Sequence, residues 1–175
     1  AAFLDMEKVV KKATEGFDDL KAKDAAFLDM EKVVKKATEG FDQLKEARNT
    51  IRRVDAALAT APDSTKQRLA KLGKALQDSL NVLEQLYMEP EDVKGIQRNE
   101  NNLSSALQRA QQYMNASDGA PNQGAQRMMA KARQQTTEVL NRINNFFATK
   151  FADYRKKVEA VQFSLFKAYV PVKVE

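Results

Sequence analysis

Three features of this sequence predict an all-α fold, an antiparallel bundle of four main helices with a surplus N-terminal helix and a short extended C-terminal tail. Apolar residues recur at steps of three and four, which draws a stripe along an α-helix. Glycine and proline are scarce, six and four in 175 residues, and the prolines fall between the periodic stretches. The residues in plenty are Ala, Leu, Lys, Gln and Glu, all good helix formers.

The first element is dominated by a repetition. The stretch AAFLDMEKVVKKATEGFD stands at 1–18 and again, letter for letter, at 25–42. Residues 1–24 and 25–48 differ only where Asp19, Ala22, Lys23 and Asp24 are matched by Gln43, Glu46, Ala47 and Arg48. In the second copy Phe27, Met30, Val34, Ala37, Phe41 and Leu44 form one seam, continued by Ala47, Ile51, Val54 and Leu58. A helix from residue 24 or 25 to about 59 is expected, with Gly40 inside it marking close approach of a neighbour. If both copies lie on one helix, 24 residues at 100° each turn the first stripe by roughly 240° from the second. Both cannot face one straight seam, so residues 1–24 read as a surplus unit beside a bundle domain at 25–175. A single near-perfect duplication is not a solenoid, which needs several stacked units. Recent duplication, engineering, or a misassigned copy of 25–41 would each account for it.

Ala61, Pro62 and Asp63 close that helix and open the next, with Asp63 or Ser64 as N-cap. Leu69, Leu72, Leu76, Ser79, Leu83 and Leu86 then mark the second seam, and the short loop makes the pair antiparallel. Residues 89–95 read as a turn and linker. A third helix over about 99–116 presents Leu103, Ala106, Leu107, Ala110, Tyr113 and Met114. The loop at 117–122 precedes a long fourth helix, about 123–167, with a stripe through Met129, Ala132, Thr136, Val139, Ile143, Phe147, Phe151, Tyr154, Val158, Val161 and Leu165, widened near its end by Phe146, Phe163 and Phe166. Pro171 stops it, and 170–175 alternates as an extended tail.

Composition excludes more chemistry than it suggests. Without His or Cys there is no imidazole base, no thiol nucleophile, no disulfide and none of the usual zinc, haem or di-iron ligand sets. The net charge of +5 comes from 29 basic and 24 acidic residues interleaved along the chain, which reads as a solvated mixed surface. No apolar run is long enough to span a bilayer, and Ala1 opens neither a signal peptide nor a chain with its initiator Met, which points to a processed product or a fragment.

Carboxylates are the one catalytic material in quantity: Asp5 with Glu7, and Glu89 with Glu91 and Asp92. They sit on polar faces or in a turn, and the latter group lacks the ligand order of a calcium loop. Arg48, Arg52 and Arg53 form one basic patch and Arg155, Lys156 and Lys157 another. The nearby aromatics Phe147, Phe151 and Tyr154 belong to the core stripe, so neither patch has the stacking platform of a nucleic-acid binder. Met114, Met128 and Met129 read as gap-filling core before they read as an adaptable groove. No catalytic, cofactor-binding or metal-binding residue is assigned, no cofactor is expected, and the chain is read as non-enzymatic.

One resemblance adds to this. The stretch at 99–107 (NENNLSSAL), the loop Ser117, Asp118, Gly119, Ala120, Pro121 followed by Gln126, and the ending from Phe163 and Phe166 to Val170, Pro171 and Val172 occur together. They resemble the C-terminal helical region of large secreted bacterial proteins built on sortilin-like Asp-box (BNR) β-propellers, often labelled glycosyl hydrolases. The resemblance covers residues 18–175; the copy at 1–17 departs from it. It implies a secreted or cell-surface protein of the Bacteroidota group, with the bundle as an accessory module. It implies as partner another protein or a preceding β-domain or propeller. No propeller residue is carried over, since Trp and the Asp-box signatures are absent. A structural or protein-interaction module is therefore expected. The alternatives are a wall of a glycan-degrading or glycan-binding cleft, and an engineered bundle. Where the N-terminal helix is covalently present, self-association through it is expected, its unsatisfied stripe packing onto a neighbouring molecule or swapping into that molecule's bundle.

Overall fold

The structure, a computed structural model, describes residues 2–88 and 102–161. The expected linker at 89–95, the stretch 99–101 and the tail at 170–175 lie outside those residues. The described residues are helical with no strand, as the all-α reading requires. They comprise α1 (Ala2–Ala57), α2 (Asp63–Glu84), α3 (Leu103–Asn115), α4 (Gln123–Phe146) and α5 (Ala152–Glu159), with a π-helical turn at Phe147–Phe151 joining the last two.

Contacts divide the chain into two compact units. One comprises Ala1–Phe41 and Glu84–Asn141, the other Asp42–Leu83 and Arg142–Glu175. Helices α1 and α4 contribute to both.

Helix α1 does not begin at residue 24 or 25; it runs unbroken through both copies of the repeat. Nothing in 18–24 provides a Gly or Pro to stop it, and helix propagation is favourable wherever no breaker intervenes. It closes in a single 3₁₀ turn, Leu58–Thr60, followed by Ala61 at φ −81°, ψ 157°. That extended geometry is what Pro62 imposes on the residue before it. Asp63 then lies inside the first turn of α2, and the carbonyl of Pro62 accepts from Lys66 N at 3.0 Å.

In the first unit the second copy of the repeat packs its Met30 with Ala110 and Met114 of α3 and Met129 and Ala132 of α4. The three core methionines fill space between helices, and Met128 is half-buried against them. The buried line on α1 passes through Met30, Ala37 and Gly40, with Val33 half-buried, whereas Val34 of the expected seam is exposed. Phe41 packs on Tyr87 with ring centroids 5.0 Å apart. Helix α3 starts at Leu103 because Asn102 caps it, its Oδ1 accepting from Ser105 N at 2.8 Å. Tyr113, expected on the seam, is exposed. Asn122 caps α4 in the same way through Ala125 N at 2.9 Å.

In the second unit Leu44, Ala47, Ile51 and Leu58 of α1 are buried, as are Leu69, Gly73, Leu76, Leu80 and Leu83 of α2. The α2 seam is displaced from the expected one: Gly73 and Leu80 take the places of Leu72 and Ser79. Gly73 is the reason. A Cβ there would stand 3.3 Å from Ile51 Cγ2 and 3.5 Å from both Asp55 Oδ1 and the Tyr154 hydroxyl, so the bare backbone is what approaches the neighbour. Ser79, half-buried, donates to Ala75 O at 3.0 Å and accepts from Lys150 Nζ at 3.1 Å.

The long fourth helix is not a single α-helix to residue 167. Its stripe holds from Met129 through Ile143, but the next buried residue is Phe146 rather than Phe147, and then Tyr154. Eight residues of α-helix turn about 800°, some 80° past two full turns. The wider π turn between them takes up that excess, keeping Phe146 and Tyr154 both inside. Helix α5 ends at Glu159, and Phe163 and Phe166 lie outside the described residues.

Candidate functional site

The π turn borders a groove of about 660 Å³ in the second unit. Helix α1 lines it with Gln43, Glu46, Ala47 and Thr50, and the far wall is Asn144, Phe147, Ala148 and Phe151. Phe147 and Phe151 meet edge to face with centroids 5.2 Å apart, and Phe146 stacks behind them at 5.3 and 6.0 Å. The groove is therefore aromatic on one wall and carries two amides, a hydroxyl and a carboxylate on the rim. That carboxylate is already engaged, because Arg53 donates to Glu46 and, at 3.0 Å, to Thr50 Oγ1. Acid–base chemistry needs two titratable groups with separated affinities for the proton, and the lining residues include one carboxylate, Glu46.

Members of both basic patches of the same unit pair with neighbouring side chains at the surface. Arg48 donates to Asn81 Oδ1 at 2.7 Å, Arg155 to Glu159 at 2.6 Å and Lys157 to Asp153 at 2.6 Å. Of the carboxylates, Asp5 and Glu7 stand on the exposed part of α1, and Glu89, Glu91 and Asp92 lie outside the described residues. Among the described residues no group of three or more acidic side chains could hold a metal ion, and no helix is long and apolar enough to cross a membrane.

Two buried hydroxyls are unusual. Those of Tyr87 and Tyr154 have no hydrogen-bond partner. Burial pushes the Tyr87 phenol up to about 12. Burial, aided by the nearby Asp55 carboxylate, pushes Tyr154 up to about 12 as well. Asp55 is itself raised by burial. Neither hydroxyl hydrogen-bonds a base, and both rings are buried.

The most distinctive surface was visible in the sequence as the surplus copy. Residues 5–22 of α1 are exposed on every face, forming a helical arm. Met6, Val9, Val10, Phe17 and Leu20 are each more than half exposed along it. The root is held to the loop between α3 and α4: Lys23 Nζ donates to Ser117 O, and Asp19 lies close enough to Gly119 that a Cβ there would stand 3.3 Å from it. What sequence reading missed is the π turn and the groove beside it; its only trace is the spacing of Phe146, Phe147, Phe151 and Tyr154, which fits no single α phase.

Set against protein-family models, curated proteins and solved structures, the chain finds no match in any of the three.

Proposed function

We propose that this chain is a non-catalytic helical module for protein interaction, with the arm of α1 as its contact surface. One observation carries the reading: five large apolar side chains stand in water on residues 6–20, while the same sequence at 25–42 is packed into a core. Contiguous exposed apolar surface of this kind marks a protein contact, since scattered single residues would not follow one stripe. A secreted or cell-surface parent is the setting proposed for the module, on the resemblance alone. The groove beside the π turn offers shape and aromatic area but no pair of groups for catalysis, which is why a binding role is preferred to an enzymatic one.

The test is a photocrosslinking side chain placed at Phe17, with a control at Lys8, which lies 180° around the helix. The expected result is a discrete protein adduct from position 17 that is absent from position 8 and is lost with Val10→Asp. Equal yields from both positions, or no protein adduct at all from position 17, would overturn the reading.

A further inference from the structure

Resting on that interaction reading, we propose that the partner of the arm is the arm of a second copy of this chain, paired antiparallel about a two-fold axis near Thr14. The stripe is self-complementary about that point. Bulky Met6 and Val10 on one side of it match Phe17 and Leu20 on the other, and the small residues Ala13 and Gly16 lie between. Gly16 has nothing within 4 Å of where a Cβ would be, so two backbones can approach closely where the helices cross.

The charges select the direction. At 100° per residue Glu7 and Lys21 flank the stripe on one side, Lys12 and Asp19 on the other. In an antiparallel pair equivalent flanks meet, and an axis near Thr14 brings Glu7 level with Lys21 of the second copy and Lys12 within a turn of its Asp19. Each contact occurs twice by symmetry. A parallel in-register pair instead sets Glu7 beside Asp5 of the second copy, like against like, which offsets the one attractive contact it makes, Lys21 beside Asp19. The other conceivable complement, the α3 and α4 face of a second molecule, is already filled by that molecule's own copy at 25–42. Exchanging one copy for an identical one buries nothing new.

The experiment uses the full chain in sedimentation equilibrium, followed by disulfide trapping, which is clean because the protein has no cysteine. A concentration-dependent dimer is expected, with its dissociation constant raised at least about tenfold by Val10→Asp. Glu7→Cys and Lys21→Cys chains should give a disulfide-linked dimer efficiently only when mixed, and Thr14→Cys should do so alone. A monomer at every concentration to about 100 μM, or a dimer indifferent to Val10→Asp, would overturn the proposal. Efficient trapping between two Glu7→Cys chains would overturn the antiparallel direction. If the chain is monomeric but position 17 still crosslinks to a different protein, the self-pairing fails and the interaction module stands; if position 17 crosslinks to nothing, both fail.

Discussion

Residues 2–18 and 26–42 have the same sequence and the same secondary structure, and different surroundings. Met6 is 66% exposed and its counterpart Met30 4%. Ala13 and Gly16 face water, whereas Ala37 and Gly40 are buried. Thr14 and Thr38 each return a hydroxyl bond to the carbonyl four residues back, to Val10 at 2.9 Å and Val34 at 3.0 Å. Local bonding is therefore common to both copies. What differs is the presence of α3 and α4 opposite one of them, and the comparison separates what a helix owes to its own residues from what it owes to a neighbour.

The largest break in the equivalence should come from paired truncations. Met30→Ala should lower stability by about 2–5 kcal/mol by leaving a cavity among Ala110, Met114 and Met129. Met6→Ala should change it by less than about 0.5 kcal/mol in dilute solution. Chemical denaturation of the two variants checks this, and equal losses would mean that the arm is packed in solution.

Alkaline pH should act on the surroundings of the second copy and not on the first copy. The Tyr87 phenol against Phe41 is raised from 10.0 to about 12, so the folded state holds its proton more tightly than the unfolded state does. Stability is then fully present below pH 10 and lost as pH rises toward about 12. Tyr154 acts in the same direction through the second unit, and Tyr87→Phe with Tyr154→Phe should flatten the decline at little cost, since neither hydroxyl has a partner to lose. Melting temperature against pH for the wild type and the double variant is the measurement.

A smaller effect of opposite sign is expected at Gly16. In the dilute monomer Gly16→Ala should stabilise the helix of the arm by up to about 1 kcal/mol, because the methyl meets nothing within 4 Å of its own chain. Amide exchange across residues 5–22 reads it. The smallest difference concerns Asp29, which accepts from Arg133 at the surface, where each partner is about half exposed. Asp29→Asn should cost at most about 1 kcal/mol, and Asp5→Asn nothing measurable. A double-mutant cycle with Arg133→Gln would show whether the pair couples at all.

Much of the architecture was legible from residues alone. The all-α class was foreseen, as were Pro62 as a boundary and the methionine core, whereas the start of α1 and the break in the fourth helix were not. The errors in the seams share one cause. A seam was read by following the largest apolar side chains, yet in α2 the closest approach is made by the residue with no side chain, Gly73, which draws Leu80 inward and leaves Leu72 and Ser79 at the edge. Likewise the steps from Phe146 to Tyr154 are ambiguous in one dimension, and only the demand that both rings be buried opens the π turn. Of the candidate surfaces, the arm could be anticipated because a rotation of roughly 240° per 24 residues follows from the repeat alone. The aromatic groove could not, because it joins side chains almost 100 positions apart.

Sequence by itself determined that residues 2–57 would be helical, since propensity and the absence of breakers act within a few residues. It also determined that the two copies would point their stripes differently. Which copy became core was decided only by tertiary structure. Burial depends on what stands across from a face, and α3 and α4 stand across from the second copy alone.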